Sequence, residues 1–162
     1  MKTLTQAKLK ELLRYDPETG VFTWRVDRSR TAKEGGIAGY PQKAYWAVCV
    51  EQNRYRAHRL AWFYVTGGWP EGDIDHRNGD RRDNRIDNLR PVTRTVNMQN
   101  LRSAHADSCS GVLGASPTAS GRWKAEINVN GTKKHLGVFD TAEGAGRAYI
   151  DAKRKLHEGN TL

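Results

Sequence analysis

The first part of the chain alternates short apolar stretches with polar turns. Leu9, Leu12 and Leu13 follow Thr3 and Thr5 at a spacing that places all three leucines on one side of a helix. Either threonine can cap the N-terminus of that helix. A polar segment with proline and glycine (residues 16–20) comes next and favours a turn. The pattern therefore predicts a short amphipathic helix, a turn, and then a strand over residues 21–26.

Two further apolar runs predict a hairpin and a helix. Residues 45–50 and 55–58 flank Gln52-Asn53, as the two strands of a hairpin flank its turn. Residues 59–65 form an apolar helix that ends at Thr66-Gly67-Gly68, and the following proline prevents its continuation. The polar, glycine-containing segment before the hairpin (residues 27–39) is expected to be a loop. The large aromatic side chains of this region are expected in the core: Trp62, Phe63 and Trp69.

A polar block after this helix is the richest in chemistry. An apolar step ends at Asp75-His76, a loop of Asn, Asp and Gly follows, and residues 89–92 have the composition of a short strand. A helix is predicted to begin at Thr93 or Thr95, so the order is strand, loop, strand, helix. This order brings one imidazole, one carboxylate and two carboxamides into a short stretch of chain: His76, Asp75, Asn88 and Asn97.

These side chains suit metal-assisted hydrolysis. A neutral imidazole with a pKa of about 6.5 can take a proton from water near physiological pH. The carboxylate of Asp75 and the carboxamide oxygen of Asn97 are suitable ligands for Mg²⁺ or Mn²⁺, and they leave coordination positions for water and phosphate. The alternative is that Asp75 and Asn88 only cap turns, while His76 is an incidental residue.

The C-terminal part has a different pattern, and residues 101–108, which lack periodicity, are predicted to be a linker. Three short strands are predicted at 111–115, 123–129 and 133–139, with turns at Ser120-Gly121 and Asn130-Gly131. Asp140 or Thr141 then caps a helix that runs to about His157 and is ended by Gly159. The predicted buried face of that helix consists of Ala145, Ala148, Tyr149, Ala152 and Leu156.

Composition limits the function. The formal net charge of +9 favours a polyanionic partner, most often nucleic acid, although a solvated basic surface is the alternative. Cys49 and Cys109 are the two cysteines, which argues against a disulfide scaffold or a cysteine-rich zinc site. The N-terminus lacks the apolar core of a signal peptide. We therefore expect a cytoplasmic protein, encoded by a bacterium or a phage, that acts as a monomer with no membrane or protein partner.

Residues 3–101 resemble the HNH homing endonucleases of phage introns. The likeness includes Asp75-His76, Asn78-Gly79, Asn88-Leu89-Arg90, His58-Arg59-Leu60 and the N-terminal segment around Asp16-Pro17. The resemblance implies a ββα-metal fold in which His76 is the general base and Asn88 braces the loop. Asp75 and Asn97 would hold one divalent ion, Mg²⁺ or Mn²⁺. Asn97 stands where the family name expects histidine, as in the intron-encoded branch.

Several arginines surround the predicted site, and about half of them are expected to pair with neighbouring carboxylates. The others would contact phosphates, and Arg77 and Arg85 are the candidates for DNA binding. His58 has two possible roles, as a structural imidazole under the site or as a catalytic one.

Residues 110–162 resemble the DNA-binding domain of plant ethylene-response factors, the Apetala-two type. The likeness includes Gly111-Val112, residues 123–127, residues 136–143 and Ala148-Tyr149. The resemblance implies a three-stranded antiparallel sheet that lies in the major groove of double-stranded DNA, with one helix packed behind it. The positions implied as DNA-binding are Trp123, Lys124, Glu126, Asn128, Lys133 and His135. A core position is the alternative for Trp123.

Together these patterns predict an α+β protein with a nuclease domain at 1–101, a linker at 102–109 and a DNA-binding domain at 110–162. The leading hypothesis is a site-specific, homing-type DNA endonuclease with one metal ion and a histidine base. One metal and one base suit nicking of one strand, and whether one or both strands are cut stays open. The alternatives are a DNA-binding regulator with an inactive HNH motif and a nonspecific degradative nuclease.

Overall fold

A computed structural model describes residues 4–105 and 107–157. Thr3, one of the two possible caps of the first helix, and Gly159, predicted to end the last helix, lie outside the described residues. The chain divides into two compact units, Met1–Thr93 and Arg94–Leu162, each containing helices and strands. The predicted α+β class is confirmed. The domain limits of 1–101 and 110–162 stay a prediction. Within the described ranges, no helix has the length and apolar character needed to cross a membrane.

The first unit begins with α1 (Gln6–Leu12), β1 (Leu13–Tyr15) and β2 (Phe22–Trp24). The Thr5 hydroxyl accepts a hydrogen bond from the Lys8 amide, so the predicted cap is present. The prediction that Leu13 lies on the helix is wrong, because it is the first residue of β1 and pairs with Trp24. It is nevertheless buried, because the strand leaves the helix on the side that faces the core.

A three-stranded antiparallel sheet follows, in the order β3 (Tyr40–Gln42), β4 (Tyr45–Val50), β5 (Asn53–Arg56). The predicted hairpin is present, but its turn lies at Glu51 and Gln52, which both have positive φ. The second strand ends at Arg56, so His58 belongs to α2 (Ala57–Thr66) rather than to the strand. As predicted, α2 ends at Gly67, which is in the left-handed conformation.

The core of the first unit lies among α1, α2 and these strands. Its fully buried side chains include Leu9, Leu13, Phe22, Val48, Val50 and Leu60. Phe63 is buried and stacks on Trp69 with ring centroids 4.3 Å apart, and Trp62 packs against the same cluster. The predicted core positions of these three aromatic residues are confirmed.

The polar block forms β6 (Asp73–His76), a single 3₁₀ turn (Ile86–Asn88) and β7 (Leu89–Val92). The strands pair antiparallel, with Asp75 opposite Arg90 and His76 opposite Leu89. The predicted strand, loop, strand order is therefore present. The next element along the chain is α3 (Arg94–Gln99), with which the second unit begins.

The second unit contains β8 (Ala115–Pro117), β9 (Trp123–Val129), β10 (Thr132–Phe139) and α4 (Ala142–Leu156). The sheet is antiparallel in the order β10-β9-β8, and the turn between β9 and β10 contains Asn130 and Gly131 with positive φ. The strand predicted at 111–115 is wrong, since residues 111–114 are turns and bends and β8 begins at Ala115. Gly111 and Gly114 have φ values of 63° and 79°, which lie in the left-handed region and not in the β region.

Helix α4 covers an apolar cluster made with the sheet, and Thr141 caps it as predicted. Ala145 is fully buried, and Ala148 and Tyr149 pack against the cluster. The predicted burial of Leu156 on this face is wrong, since it is 37% exposed, whereas Lys153 is 1% exposed. The Lys153 ammonium donates a hydrogen bond to the carbonyl of Leu101, which lies in the same unit, and this contact accounts for a buried lysine on the helix.

Candidate functional site

Asp75 and His76 are the last two residues of β6, and both are buried. The Asp75 carboxylate accepts two hydrogen bonds at Oδ2 from the guanidinium of Arg90, at 3.0 Å from Nε and 2.8 Å from Nη2. Both partners of this ion pair are largely shielded from solvent. The sequence marks Arg90 only as one of several arginines around the site. Its position opposite Asp75 in the strand pair is what brings the two charges together.

The His76 imidazole lies against two other rings. His58 meets it edge to face with ring centroids 5.0 Å apart, and Tyr45 lies 6.3 Å away. Burial lowers the pKa of His76, while the Asn84 carboxamide and the carboxylates of Asp75, Asp80 and Asp83 act in the opposite direction. The ring is therefore held in its neutral form, which is the form that can accept a proton.

His58 is buried to the same extent as His76. Burial is the main cause that lowers the pKa of His58 to about 3; the repulsion that a protonated His76 would exert and the guanidiniums of Arg56 and Arg59 act in the same direction. Its Nδ1 atom has no hydrogen-bond partner in the part of the chain that the structure describes. His58 is thus a neutral ring packed against His76.

The loop after His76 is closed by Asn88. The Asn88 carbonyl accepts from the Arg77 amide at 2.9 Å, and its side-chain Oδ1 accepts from the Asn78 amide at 3.0 Å. The Asn88 Nδ2 donates to the carbonyl of Asp83 at 2.8 Å. One buried side chain therefore ties together both ends of the loop that begins at His76.

The N-terminal segment supports this loop from outside. The Tyr15 hydroxyl donates to the carbonyl of Asn84 at 2.7 Å, and burial is the main cause of the raised pKa of Tyr15. Gly20 has φ +72°, and a Cβ there would lie 2.5 Å from the Arg85 amide nitrogen. Sequence reasoning did not find these contacts, although the predicted resemblance includes the segment around Asp16-Pro17.

Arg77 and Arg85 line a depression of about 440 Å³ beside the loop, together with Glu18 and Asp87. Arg85 donates from Nε and Nη2 to the Asp83 carboxylate at 2.8 and 2.6 Å, and this pair lowers the pKa of Asp83 to about 2. Arg85 is thus one of the arginines with an intramolecular partner. Its predicted contact with DNA, like that of Arg77, stays a prediction.

The donor types predicted for a metal ion are a carboxylate and a carboxamide. Asp75 is on β6 in the first unit, and Asn97 is on α3 in the second. Among the described residues, no group of three or more His, Cys, Asp or Glu side chains could hold a metal ion. Oxygen donors of this kind fit Mg²⁺ or Mn²⁺, which retain several water ligands. The pairing of Asp75 with Asn97 at one ion stays a prediction.

The second unit presents a polar sheet face. Cross-strand pairs place Lys124 beside Ser116, Glu126 beside His135, and Asn128 beside Lys133, and paired residues share one face. Lys124 also forms an ion pair with Glu126 at 2.9 Å. These five candidate DNA-binding residues therefore lie together: Lys124, Glu126, Asn128, Lys133 and His135.

Trp123 does not belong to that face. It alternates with Lys124 and shares the side of Ala125 and Ile127, which are buried. Its ring packs against the apolar cluster under α4. The core position given as the alternative for Trp123 is therefore the one observed, because side chains along a strand alternate between the two faces with a period of two. Its implied place among the outward-facing DNA-binding residues is wrong.

A family model described as HNH endonuclease matches residues 55–99. The matched segment includes Asp75, His76, Asn88 and Asn97, together with α2, β6 and β7. The match supports a DNA nuclease of the HNH type. Neither the curated proteins nor the solved structures contain a match to this chain.

Proposed function

We propose that this chain is a site-specific DNA endonuclease of the homing type, which hydrolyses a phosphodiester bond with one divalent metal ion and His76 as the general base. The observation that supports this most is the buried, neutral His76 at the end of β6. It directly follows a carboxylate and lies inside the segment that matches the HNH endonuclease model.

His76 accepts the proton of a water molecule, which then attacks the phosphorus in line with the leaving 3′ oxygen. The contact with His58 limits how far the ring can rotate. Asn88 keeps the loop closed so that the chain after His76 follows one path. The products would carry 5′-phosphate and 3′-hydroxyl ends.

A divalent ion held by Asp75 and Asn97 would offset the negative charge that develops on the leaving oxygen. The Arg90 guanidinium already neutralises part of the Asp75 charge, so Asp75 would hold the ion weakly and exchangeably. Arg90 also fixes the rotamer of the carboxylate. The donor set therefore fits Mg²⁺ or Mn²⁺ better than zinc.

The test is cleavage of supercoiled plasmid by the wild-type protein and by His76→Ala, each with Mg²⁺, with Mn²⁺ and with EDTA. Wild type should convert the plasmid to nicked or linear form only with a metal. His76→Ala should lower the rate by roughly 10²- to 10⁴-fold and still retard the plasmid in a gel. Cleavage by His76→Ala at the wild-type rate would refute the assignment of the base.

One observation favours a second candidate, a DNA-binding regulator with an inactive HNH motif. The carboxylate predicted to hold the metal is engaged by Arg90. A regulator would shift the plasmid band with every metal and leave the DNA intact. A map of cleavage sites on a long duplex, with both strands end-labelled, separates the remaining alternatives: one site indicates a homing enzyme and scattered sites a degradative one.

A further inference from the structure

The outer face of the sheet formed by β3, β4 and β5 is polar and basic, while its other face joins the core. Trp46, Val48 and Val50 point into the core of the first unit. The alternate positions carry Tyr45 on β4 and Arg54 and Arg56 on β5, and both arginines are exposed. A sheet with one polar face ordinarily presents that face to water. The charged side chains on this face are all positive.

A groove of about 500 Å³ runs along this face. Its charged lining consists of Lys43, Arg54, Arg56 and Arg81, and Tyr45 is the aromatic side chain on this face that lines it. The lining contains no carboxylate. Within residues 4–105 and 107–157, none of the four cations forms an ion pair, in contrast to Arg85 and Arg90 nearby. Four like charges in one groove repel one another, and an anion in the groove would relieve that repulsion.

Two of these cations are in contact with the ring of Tyr45. The Arg56 guanidinium lies over its ring at 4.4 Å from the centroid, and that of Arg81 lies at 5.4 Å. Stacking on a ring restrains a guanidinium without using its N–H donors, which stay available for phosphate oxygens. The same ring also lies 6.3 Å from His76. The two guanidiniums are therefore separated from the predicted base by a single side chain.

We propose that this groove binds the phosphodiester backbone of the DNA strand beside the bond presented to His76. Arg56 and Arg81 would each take one phosphate, while Lys43 and Arg54 would follow the backbone away from the site. The proposal deepens the proposed function and rests on it, because it gives the substrate a path past the nuclease residues.

The test measures the binding of a labelled DNA duplex at several potassium chloride concentrations, in EDTA so that binding is separated from cleavage. Log affinity falls as log salt rises, and the double variant Arg56→Gln/Arg81→Gln should make this dependence shallower, reducing the magnitude of the slope by about 2. This is the value expected for the removal of two phosphate-binding side chains. The matched control is Arg28→Gln/Arg30→Gln. It removes two exposed arginines of the same unit, and Arg28 is also stacked on a ring, that of Trp24. The control should keep the wild-type slope.

Equal slopes for the double variant and the control would overturn the proposal, because binding would then depend only on net charge. If circular dichroism shows that the double variant does not fold, Lys43→Gln/Arg54→Gln replaces it. Both of its positions are exposed on the hairpins, and the same fall in slope is expected. Charge-preserving Arg56→Lys/Arg81→Lys should keep most of the slope but bind less tightly, since lysine lacks the planar fork.

Cleavage assays of the same variants with Mn²⁺ distinguish the two proposals. If wild type does not cut DNA but the salt dependence of binding still changes in Arg56→Gln/Arg81→Gln, the nuclease assignment is wrong and the proposal that the groove binds DNA is supported. If wild type cuts DNA but the salt dependence of binding is unchanged in that variant, the proposal that the groove binds DNA is wrong and the proposed nuclease function is kept.

Discussion

The contact between His58 and His76 joins two neutral imidazoles inside the first unit. Sequence reasoning leaves His58 as either a structural or a catalytic residue. Its burial and its edge-to-face contact with His76 favour the structural role, in which the ring supports His76. Tyr45 completes the group, 5.3 Å from His58. The sequence could not reveal this group, because its members come from β4, α2 and β6.

The low pKa of His58 predicts that acid destabilises the fold. In the unfolded chain this imidazole titrates near pH 6.5, whereas in the folded protein it resists protonation down to about pH 3. Its contribution to stability is therefore complete above pH 6.5 and falls as the pH drops from 6.5 towards 3. His58→Phe should lose about 2 kcal/mol less of its unfolding free energy than wild type between pH 6.5 and pH 5.

Urea denaturation followed by tryptophan fluorescence measures this difference. Trp24, Trp46, Trp62 and Trp69 lie in the first unit, so the signal reports mostly on the unit that contains His58. Carboxylates are largely ionised above pH 5, which limits the measured change to histidines. The same loss of stability in His58→Phe and wild type would contradict the prediction.

At the scale of the element, local pattern predicts most helices and strands, and the errors have identifiable causes. Helix α2 and strands β6, β7, β9 and β10 are predictable because each has a clear period or a strong stop signal. Leu13 is misplaced because a helical spacing continues by chance into β1. On α4, Lys153 is buried and Leu156 is exposed, because the carbonyl of Leu101, which is distant in sequence, accepts a hydrogen bond from the lysine.

The turn at Gly20 packs against the loop after His76. An alanine at Gly20 should therefore destabilise the protein much more than an alanine at Gly35. Gly20 and Gly35 both have positive φ, at +72° and +76°. A Cβ at Gly20 would lie 2.5 Å from backbone atoms of both Asn84 and Arg85, whereas a Cβ at Gly35 would meet nothing within 4 Å. Gly35→Ala should therefore cost about 1 kcal/mol of unfolding free energy, from backbone strain alone. Gly20→Ala should cost about 3 kcal/mol, because overpacking adds to the same strain.

Thermal denaturation of the two variants checks this comparison, and plasmid cleavage extends it. Gly20→Ala should also slow cleavage, since it displaces the backbone of the loop that Asn88 closes, while Gly35→Ala should cut DNA at the wild-type rate. Equal melting temperatures for the two variants would show that the N-terminal turn does not support the loop.

At the scale of the whole molecule, the two units present different side chains to the proposed DNA substrate. The first contains the predicted base and a groove of cations, which suit backbone contacts and chemistry. The second presents a face of mixed hydrogen-bond donors and acceptors on β9 and β10. Phosphate contacts position a protein on DNA, whereas contacts to base edges select the sequence. The residue types at the site could be read from the sequence, but the supporting contacts of Tyr15, Tyr45 and Arg90 depend on the fold.

If the second unit selects the sequence and the first cleaves, the sequence specificity of cleavage can be lost while cleavage itself is kept. Asn128 and Lys133 lie side by side on the polar face, and the variant Asn128→Ala/Lys133→Gln removes both. Removing one hydrogen-bonded pair between a side chain and a base edge should cost about 1–3 kcal/mol of discrimination, so cleavage of a long duplex should spread from one site to several. Total cleavage at high protein concentration should stay near wild type, since His76 is unchanged. Lys155→Gln is the matched control, because it removes an exposed lysine from α4 and should keep the wild-type map. An unchanged map for the double variant would mean that this sheet face does not read the target, and that any site preference arises in the first unit.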